Sequence, residues 1–249
     1  MRLGAIQMFV ADKLEVNLDT ILRIMTEAAY KNVDLLTFPE MSLTGYNPDV
    51  LNKSDIQEET TRALDQIALR AADLDLGVIV GHAHWTNDDQ LLNAATVLLP
   101  DKTRHTYYKT YVTEAEAEYF NSGTEPLAFT YNGHRFGVII CRDQNYPELA
   151  RRTCRNGVAA LFILSAHYYH PHEARWKIDK NKALPIARAV ENKVHVLMAN
   201  TVGSHIGLIS LGNSLIADPK GVLVALADEA SEVILTCDFP ESLPKPGTN

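Results

Sequence analysis

A cysteine that ends a strand-like run is the first residue whose type and position could do chemistry. Cys141 closes the apolar run HRFGVIIC, and polar residues lead from it into a predicted helix near Pro147. In open α/β sheets ligands bind at the carboxyl ends of strands, where free backbone amides can also bind a developing oxyanion. This position predicts a nucleophilic thiol. The competing interpretation is a buried small apolar side chain, which is the commoner fate of a free cysteine.

A thiol at neutral pH needs a base or a nearby cation to become a nucleophile. Glu40 follows the run VDLLTFP, and Lys109 follows HTYY, so both also stand at predicted strand ends. A glutamate in a dry pocket can act as a base, although Glu40 could equally cap a helix or face solvent. Taken singly, each of these charges is more simply explained as solvated.

Histidine is the usual partner of a reactive cysteine, and two groups of histidines stand out. His82 and His84 share one face of a predicted strand, while His167, His170 and His172 crowd the segment SAHYYHPHE. Neither group has HExxH spacing or a Cys-x-x-Cys partner, so the pattern favours strand ends or a pocket rim over metal ligands. We therefore predict no metal and no cofactor, and keep a Cys141–His167 pair as an alternative.

The elements that must position these residues alternate between short β-branched runs and helical patterns. RLGAIQMFV, a helix over about 18–31 and VDLLTFPE form a βαβ opening, and the runs GVIVGHAHW and NAATVLLP predict a hairpin. Further helices are expected over about 58–74, 148–155 and 176–192. Strands that are apolar throughout need cover on both faces, which favours a layered α/β fold in a single domain over residues 1–249.

The amino-acid composition of the chain argues against several classes of function. The 249 residues include 46% apolar side chains and carry a formal charge of −8, which gives nucleic-acid binding little electrostatic support. We find no apolar run of the ~20 residues that span a bilayer and no signal peptide. Cys141, Cys154 and Cys237 are too few for a disulfide framework, so we expect a cytoplasmic protein in which Cys154 and Cys237 only pack.

Several blocks of this sequence resemble the carbon–nitrogen hydrolase (nitrilase) superfamily, in the same order. The blocks are FPE at 38–40, YYK at 107–109 and the cysteine of IICRDQNYPE, followed by ARAVENKVHVLMANTVG and GNSLIADPKG. The family's second glutamate maps best onto Glu116, before Tyr119, Phe120 and Gly123, with Glu114 and Glu118 as less favoured registers. The resemblance covers nearly the whole chain.

The resemblance implies a four-layer αββα sandwich, mixed sheets with helices on the outer faces, and a division of roles within one site. Glu40 would be the general base, Lys109 the electrophilic support, Cys141 the nucleophile that forms a thioester, and Glu116 an auxiliary carboxylate. It also implies a homodimer or higher homo-oligomer that acts on a small molecule.

Members of the superfamily cleave nitriles, amides or N-carbamoyl groups, so the nucleophile does not name the substrate. We favour amide or N-carbamoyl hydrolysis over nitrile hydrolysis, because NYPE and YPELAR resemble amidase and carbamoyl-hydrolase sequences. Arg142 departs from the aromatic residue usual after the cysteine and could attract an anionic substrate tail. The candidate substrate-binding residues are Arg142, Tyr168, Tyr169, His170 and Trp176. A non-catalytic small-molecule-binding protein and a Cys–His acyltransferase remain alternatives.

Overall fold

The computed structural model of the protein describes residues 1–88 and 90–239. Its strands are β1 (Arg2–Met8), β2 (Leu35–Thr37), β3 (Gly77–Trp85), β4 (Leu91–Leu98), β5 (Arg104–Tyr108), β6 (Leu127–Tyr131), β7 (His134–Ile140), β8 (Val158–Leu164), β9 (His195–His205), β10 (Leu208–Leu211), β11 (Leu215–Ala217), β12 (Leu223–Leu226) and β13 (Val233–Asp238). Its α-helices are α1 (Leu14–Tyr30), α2 (Pro48–Leu51), α3 (Ile56–Leu74), α4 (Pro147–Thr153) and α5 (Pro171–Asn192). Two 3₁₀ helices lie at Glu116–Glu118 and Cys141–Asn145.

The strands form one continuous mixed network in the order β5-β4-β3-β2-β1-β9-β8-β7-β6. The two halves meet where β1 pairs with β9 through Gln7–Asn200 and Met8–Thr201. Parallel pairing joins β1, β2 and β3 in one half and β7, β8 and β9 in the other, and the predicted β3–β4 hairpin is antiparallel. The expectation of a mixed α/β fold with a large sheet is confirmed.

Both faces of the central strands are buried, as their uniformly apolar sequences predict. In β1, Ile6 packs in a cluster with α1 and α3, while Leu3 on the opposite face packs in a cluster shared with β7 and β8. In β7, Val138 belongs to that shared cluster, and Ile139 faces a third cluster with α4 and α5. The alternation of side chains along a strand separates these clusters.

Element ends differ from the sequence-based bounds by a few residues. α5 begins at Pro171 instead of near Trp176, because proline is well accommodated in the first turn of a helix. The short elements α2 and β10 were not predicted. Among the described residues, no helix is both long enough and apolar enough to span a bilayer.

Candidate active site

Three strand ends bring chemically active side chains to one cavity. Lys109 directly follows β5, Cys141 directly follows β7, and Glu40 comes three residues after β2. The cavity holds about 280 Å³, near the lower end of the ~300–1,000 Å³ range of small-molecule sites. Its lining consists of Glu40, Tyr46, Pro48, Leu51, Lys109, Thr113, Ala115, Glu116, Tyr119, Phe120, Cys141, Ala166, Tyr168, Ile206 and Leu208.

Part of the lining of this cavity is an ammonium group between two carboxylates. Lys109 Nζ lies 2.7 Å from Glu40 Oε1 and 2.6 and 2.7 Å from the two carboxylate oxygens of Glu116. Burial alone would lower the pKa of Lys109, but the charges of Glu40 and Glu116 raise it above its ordinary value. Burial would likewise raise the pKa of Glu116, but Lys109 and hydrogen bonds lower it. The three groups together carry one net negative charge.

Two further polar side chains hold this cluster in place. The Asn93 amide, fully buried in β4, donates to Glu40 Oε1 at 2.9 Å and to Glu116 Oε1 at 3.1 Å. The Tyr46 hydroxyl donates to Glu116 Oε1 at 2.9 Å. The sequence analysis missed both residues, because a lone asparagine or tyrosine in an apolar segment carries no distinguishing spacing.

The backbone at Cys141 is strained. Its φ of 41° lies in the left-handed region, which costs a non-glycine residue about 1–3 kcal/mol. Burial and the negative charge of Glu40 raise the pKa of the Cys141 thiol, while Lys109 opposes that rise. The resting sulfur is therefore a protonated thiol that needs a base when it attacks.

Asp143 ties the turn after Cys141 to the segment that carries Lys109. Its carboxylate accepts hydrogen bonds from the Ile140 amide at 3.0 Å, the Tyr107 hydroxyl at 2.7 Å and the Tyr111 amide at 2.8 Å. Burial raises the pKa of Asp143 to about 6, and these hydrogen bonds oppose the rise. One fully buried side chain thus links both sides of Lys109 to the nucleophile turn.

Two glycines allow the backbone to approach closely beside the site. A Cβ at Gly81 would lie 2.4 Å from the Pro39 carbonyl oxygen, next to Glu40. A Cβ at Gly123 would lie 2.3 Å from the Tyr108 carbonyl oxygen, next to Lys109. No real Cβ tolerates such contacts, so glycine at these positions lets neighbouring segments hold the two charged residues together.

Of the five residues predicted to bind substrate, only Tyr168 lines this cavity. The others lie outside its lining: Arg142, Tyr169, His170 and Trp176. The Tyr169 hydroxyl donates to Asn181 at 3.1 Å, His170 is exposed where α5 begins, and Trp176 is 65% exposed. As substrate contacts these four residues stay predictions, and the described lining comes from the segments that follow β2, β5, β7 and β8 and from the turn between β9 and β10.

No described histidine is among the residues that line the cavity. Nitrogen atoms of the buried His82 ring lie 2.7 Å from Thr96 Oγ1 and 2.8 Å from the Ala83 carbonyl oxygen, and burial lowers the pKa of His82 to about 4. The His167 ring lies 3.3 Å from the Gln144 amide nitrogen, and burial lowers its pKa to about 3. Within residues 1–88 and 90–239, no group of three or more His, Cys, Asp or Glu side chains could hold a metal ion.

Comparison with known sequences gives a consistent family match. The profile of the family described as carbon-nitrogen hydrolase matches residues 2–243. A glutamine-dependent NAD(+) synthetase from Aquifex aeolicus is 33% identical over 234 residues, which are 92% of this chain and 40% of the synthetase. This chain therefore spans about two fifths of the length of that relative. A nitrilase from Pyrococcus abyssi is 31% identical over 220 residues, which are 85% of this chain and 79% of the nitrilase.

Solved structures share the fold. An amidase from Nesterenkonia sp. superposes with a TM-score of 0.85, covering 97% of this chain and 90% of the amidase at 22% sequence identity. At that identity the likeness concerns the fold.

Proposed function

Because the chain belongs to the carbon–nitrogen hydrolase family, we propose that it hydrolyses a small non-peptide amide or N-carbamoyl C–N bond through a thioester on Cys141. One observation carries this proposal: Cys141, Glu40 and Lys109 line one cavity, with Lys109 Nζ 2.7 Å from Glu40. A thiol, a base and a cation are thereby available to one substrate carbonyl.

The first half of the reaction forms the thioester. The Cys141 sulfur attacks the substrate carbonyl carbon while Glu40 takes the thiol proton. Lys109 and the backbone N–H of Arg142 stabilise the tetrahedral oxyanion, and removing one such donor typically raises a barrier by ~2.7–4 kcal/mol. Glu40 then gives its proton to the nitrogen, so the C–N bond breaks and neutral ammonia or amine leaves.

The second half releases the acid. Glu40 takes a proton from a water molecule, whose oxygen attacks the thioester carbon, and the C–S bond breaks as the sulfur regains a proton from Glu40. The hydrogen bonds from Lys109 and Asn93 both go to Glu40 Oε1, and the other carboxylate oxygen, Oε2, would exchange these protons. Glu116 supports the reaction by holding Lys109 in place.

Amide hydrolysis is preferred to nitrile hydrolysis as the first substrate class. The Aquifex relative is named for its dependence on glutamine, whose side chain is a primary amide, and supports this preference. The similarity to the Pyrococcus nitrilase supports nitrile hydrolysis as the second candidate. The complete set of Glu40, Lys109, Glu116 and Cys141 counts against a non-catalytic binding protein. His167 is not among the lining residues, which counts against the Cys–His acyltransferase.

The finer fold description and the assembly are also proposals. The cluster shared by β1, β7 and β8, together with the two helix-facing clusters, supports a four-layer αββα sandwich. A homodimer or higher homo-oligomer and a cytoplasmic location stay predictions, and light scattering tests the former.

An ammonia-release screen over short aliphatic amides, N-carbamoyl amines and the matching nitriles tests the function. We expect turnover of at least one amide or N-carbamoyl substrate, with a Cys141 acyl adduct in intact-protein mass spectra. The Cys141→Ala variant should lose both, and Cys154→Ala should keep both, because Cys154 lies outside the cavity lining. Full turnover by Cys141→Ala would refute the assignment of the nucleophile.

A further inference from the structure

The described residues that line the cavity include one cationic side chain, and its charge is already satisfied. Lys109 contacts both Glu40 and Glu116 at 2.6–2.7 Å, so the charged part of the lining totals −1. Arg142, the nearest arginine to the nucleophile in sequence, lies outside the lining. A negatively charged group on a substrate would therefore enter this cavity without a cationic partner.

Most polar groups beside the charged cluster already have partners within it. The Thr113 amide and the Tyr46 hydroxyl donate to the Glu116 carboxylate, and the Thr113 hydroxyl accepts from the Glu116 amide. Among the described residues, the buried Tyr168 hydroxyl has no hydrogen-bond partner. The remaining wall is largely apolar, with the hydroxyl groups of two tyrosines in it, and consists of Pro48, Leu51, Ala115, Tyr119, Phe120, Ala166, Tyr168, Ile206 and Leu208. A substrate acyl group would therefore lie against carbon surface.

We propose that this site, acting in the hydrolysis proposed above, selects amides whose acyl group is apolar and uncharged and discriminates against those that carry a carboxylate. Two physical effects act together. A carboxylate loses hydration against a largely apolar wall whose one cationic side chain among the described residues, Lys109, is already paired, and it is repelled by the net negative charge of the cluster. An alkyl or aryl group of the same size gains from burial on the same wall.

Pairs of amides that have the same chain length, one with a carboxylate end and one with an apolar end, test this selectivity. Succinamate and 4-methylpentanamide have the same shape, because a branched dimethyl end replaces the carboxylate, and glutaramate and 5-methylhexanamide form a second pair. We expect the neutral member of each pair to have a kcat/KM at least tenfold higher.

A cationic side chain placed on the wall should weaken the preference for the neutral substrate. Leu208 lines the cavity at the start of β10, where it is half-buried and outside the catalytic cluster. In Leu208→Arg the ratio of neutral to anionic kcat/KM should fall at least fivefold relative to the unchanged protein. The matched variant Leu208→Gln removes the same apolar contact without adding charge and should keep the preference for the neutral member.

The outcomes separate this inference from the function on which it rests. If no amide of either kind forms a Cys141 adduct or releases ammonia, the proposed hydrolysis itself fails. If amides are hydrolysed and succinamate or glutaramate equals or exceeds its neutral partner, the hydrolysis stands and the selectivity is refuted.

Discussion

Strand β5 carries an ion pair at each end, and the two pairs have the same length but different surroundings. At its first residue, Arg104 Nη2 lies 2.7 Å from Asp65, with side chains 43% and 55% exposed. Directly after its last residue, Lys109 Nζ lies 2.7 Å from Glu40, with both side chains 1% exposed. Distance alone therefore does not distinguish a surface contact from the centre of the site.

The difference lies in what each charge would meet if its partner were removed. Water solvates Arg104 or Asp65 immediately, so their pair contributes ~0–1 kcal/mol. Glu40 and Glu116 have little water to replace Lys109, and an unpaired buried charge is costly. Hydrogen bonds from Asn93 and Tyr46 offset part of the desolvation of the buried cluster.

Removing the buried cation should give the largest effect. We expect Lys109→Met to lower the free energy of unfolding by about 3–5 kcal/mol, because it leaves two carboxylates together in a dry cavity. It should also abolish ammonia release, since the oxyanion loses its cation. Urea unfolding at pH 7 and the amide assay measure the two effects, and a loss of stability below 1 kcal/mol would contradict this view of the cluster.

Acidification should reduce the difference in the free energy of unfolding between Lys109→Met and the unchanged protein. Because Lys109 lowers the pKa of Glu116, the stability this carboxylate contributes is full above its ordinary pKa of ~4.3 and is lost as the pH falls through the lowered value. In Lys109→Met the same carboxyl group protonates at higher pH, which relieves the repulsion. The difference between the two proteins should therefore be smaller at pH 4 than at pH 7.

Asp143 should give an intermediate effect, since it is buried but makes only hydrogen bonds. Asp143→Asn keeps the shape and leaves at least one of the donors from Ile140, Tyr107 and Tyr111 without an acceptor, which costs about 1–3 kcal/mol. Because this carboxylate holds Cys141 relative to Lys109, kcat should fall more than KM rises. Unchanged kcat in a stable variant would show that Asp143 has only a structural role.

Much of the fold follows from sequence periodicity, and the exceptions have a physical cause. The central strands were predicted because their β-branched runs are apolar on both faces. α2 and β10 span four residues each, too few to show a helical or strand period. Strand β9 continues beyond Asn200 to His205, where its last four residues pair with β10 in an antiparallel hairpin that was not predicted.

The residues of the candidate site likewise fall into those that the sequence predicted and those that it did not. Glu40, Lys109 and Cys141 stand at strand ends, so topology and family resemblance both placed them at the same edge. Asn93 and Asp143 act through hydrogen bonds to residues distant in sequence, and neither has a local signature. The apolar wall could not be predicted either, because Leu51, Phe120 and Leu208 come from segments far apart in the chain.

The surface pair at the other end of β5 should give the smallest effect. We expect Arg104→Met, the match of Lys109→Met, to lower the free energy of unfolding by ~0–1 kcal/mol, because solvent replaces the lost partner of Asp65. This small loss of stability in Arg104→Met should vanish near 1 M salt, where the Debye length is about 3 Å. The larger loss in Lys109→Met should persist at that salt concentration, because Glu40 and Glu116 are buried away from ions. Amide turnover should be unchanged. A loss above about 2 kcal/mol for Arg104→Met would mean that burial does not separate the two pairs.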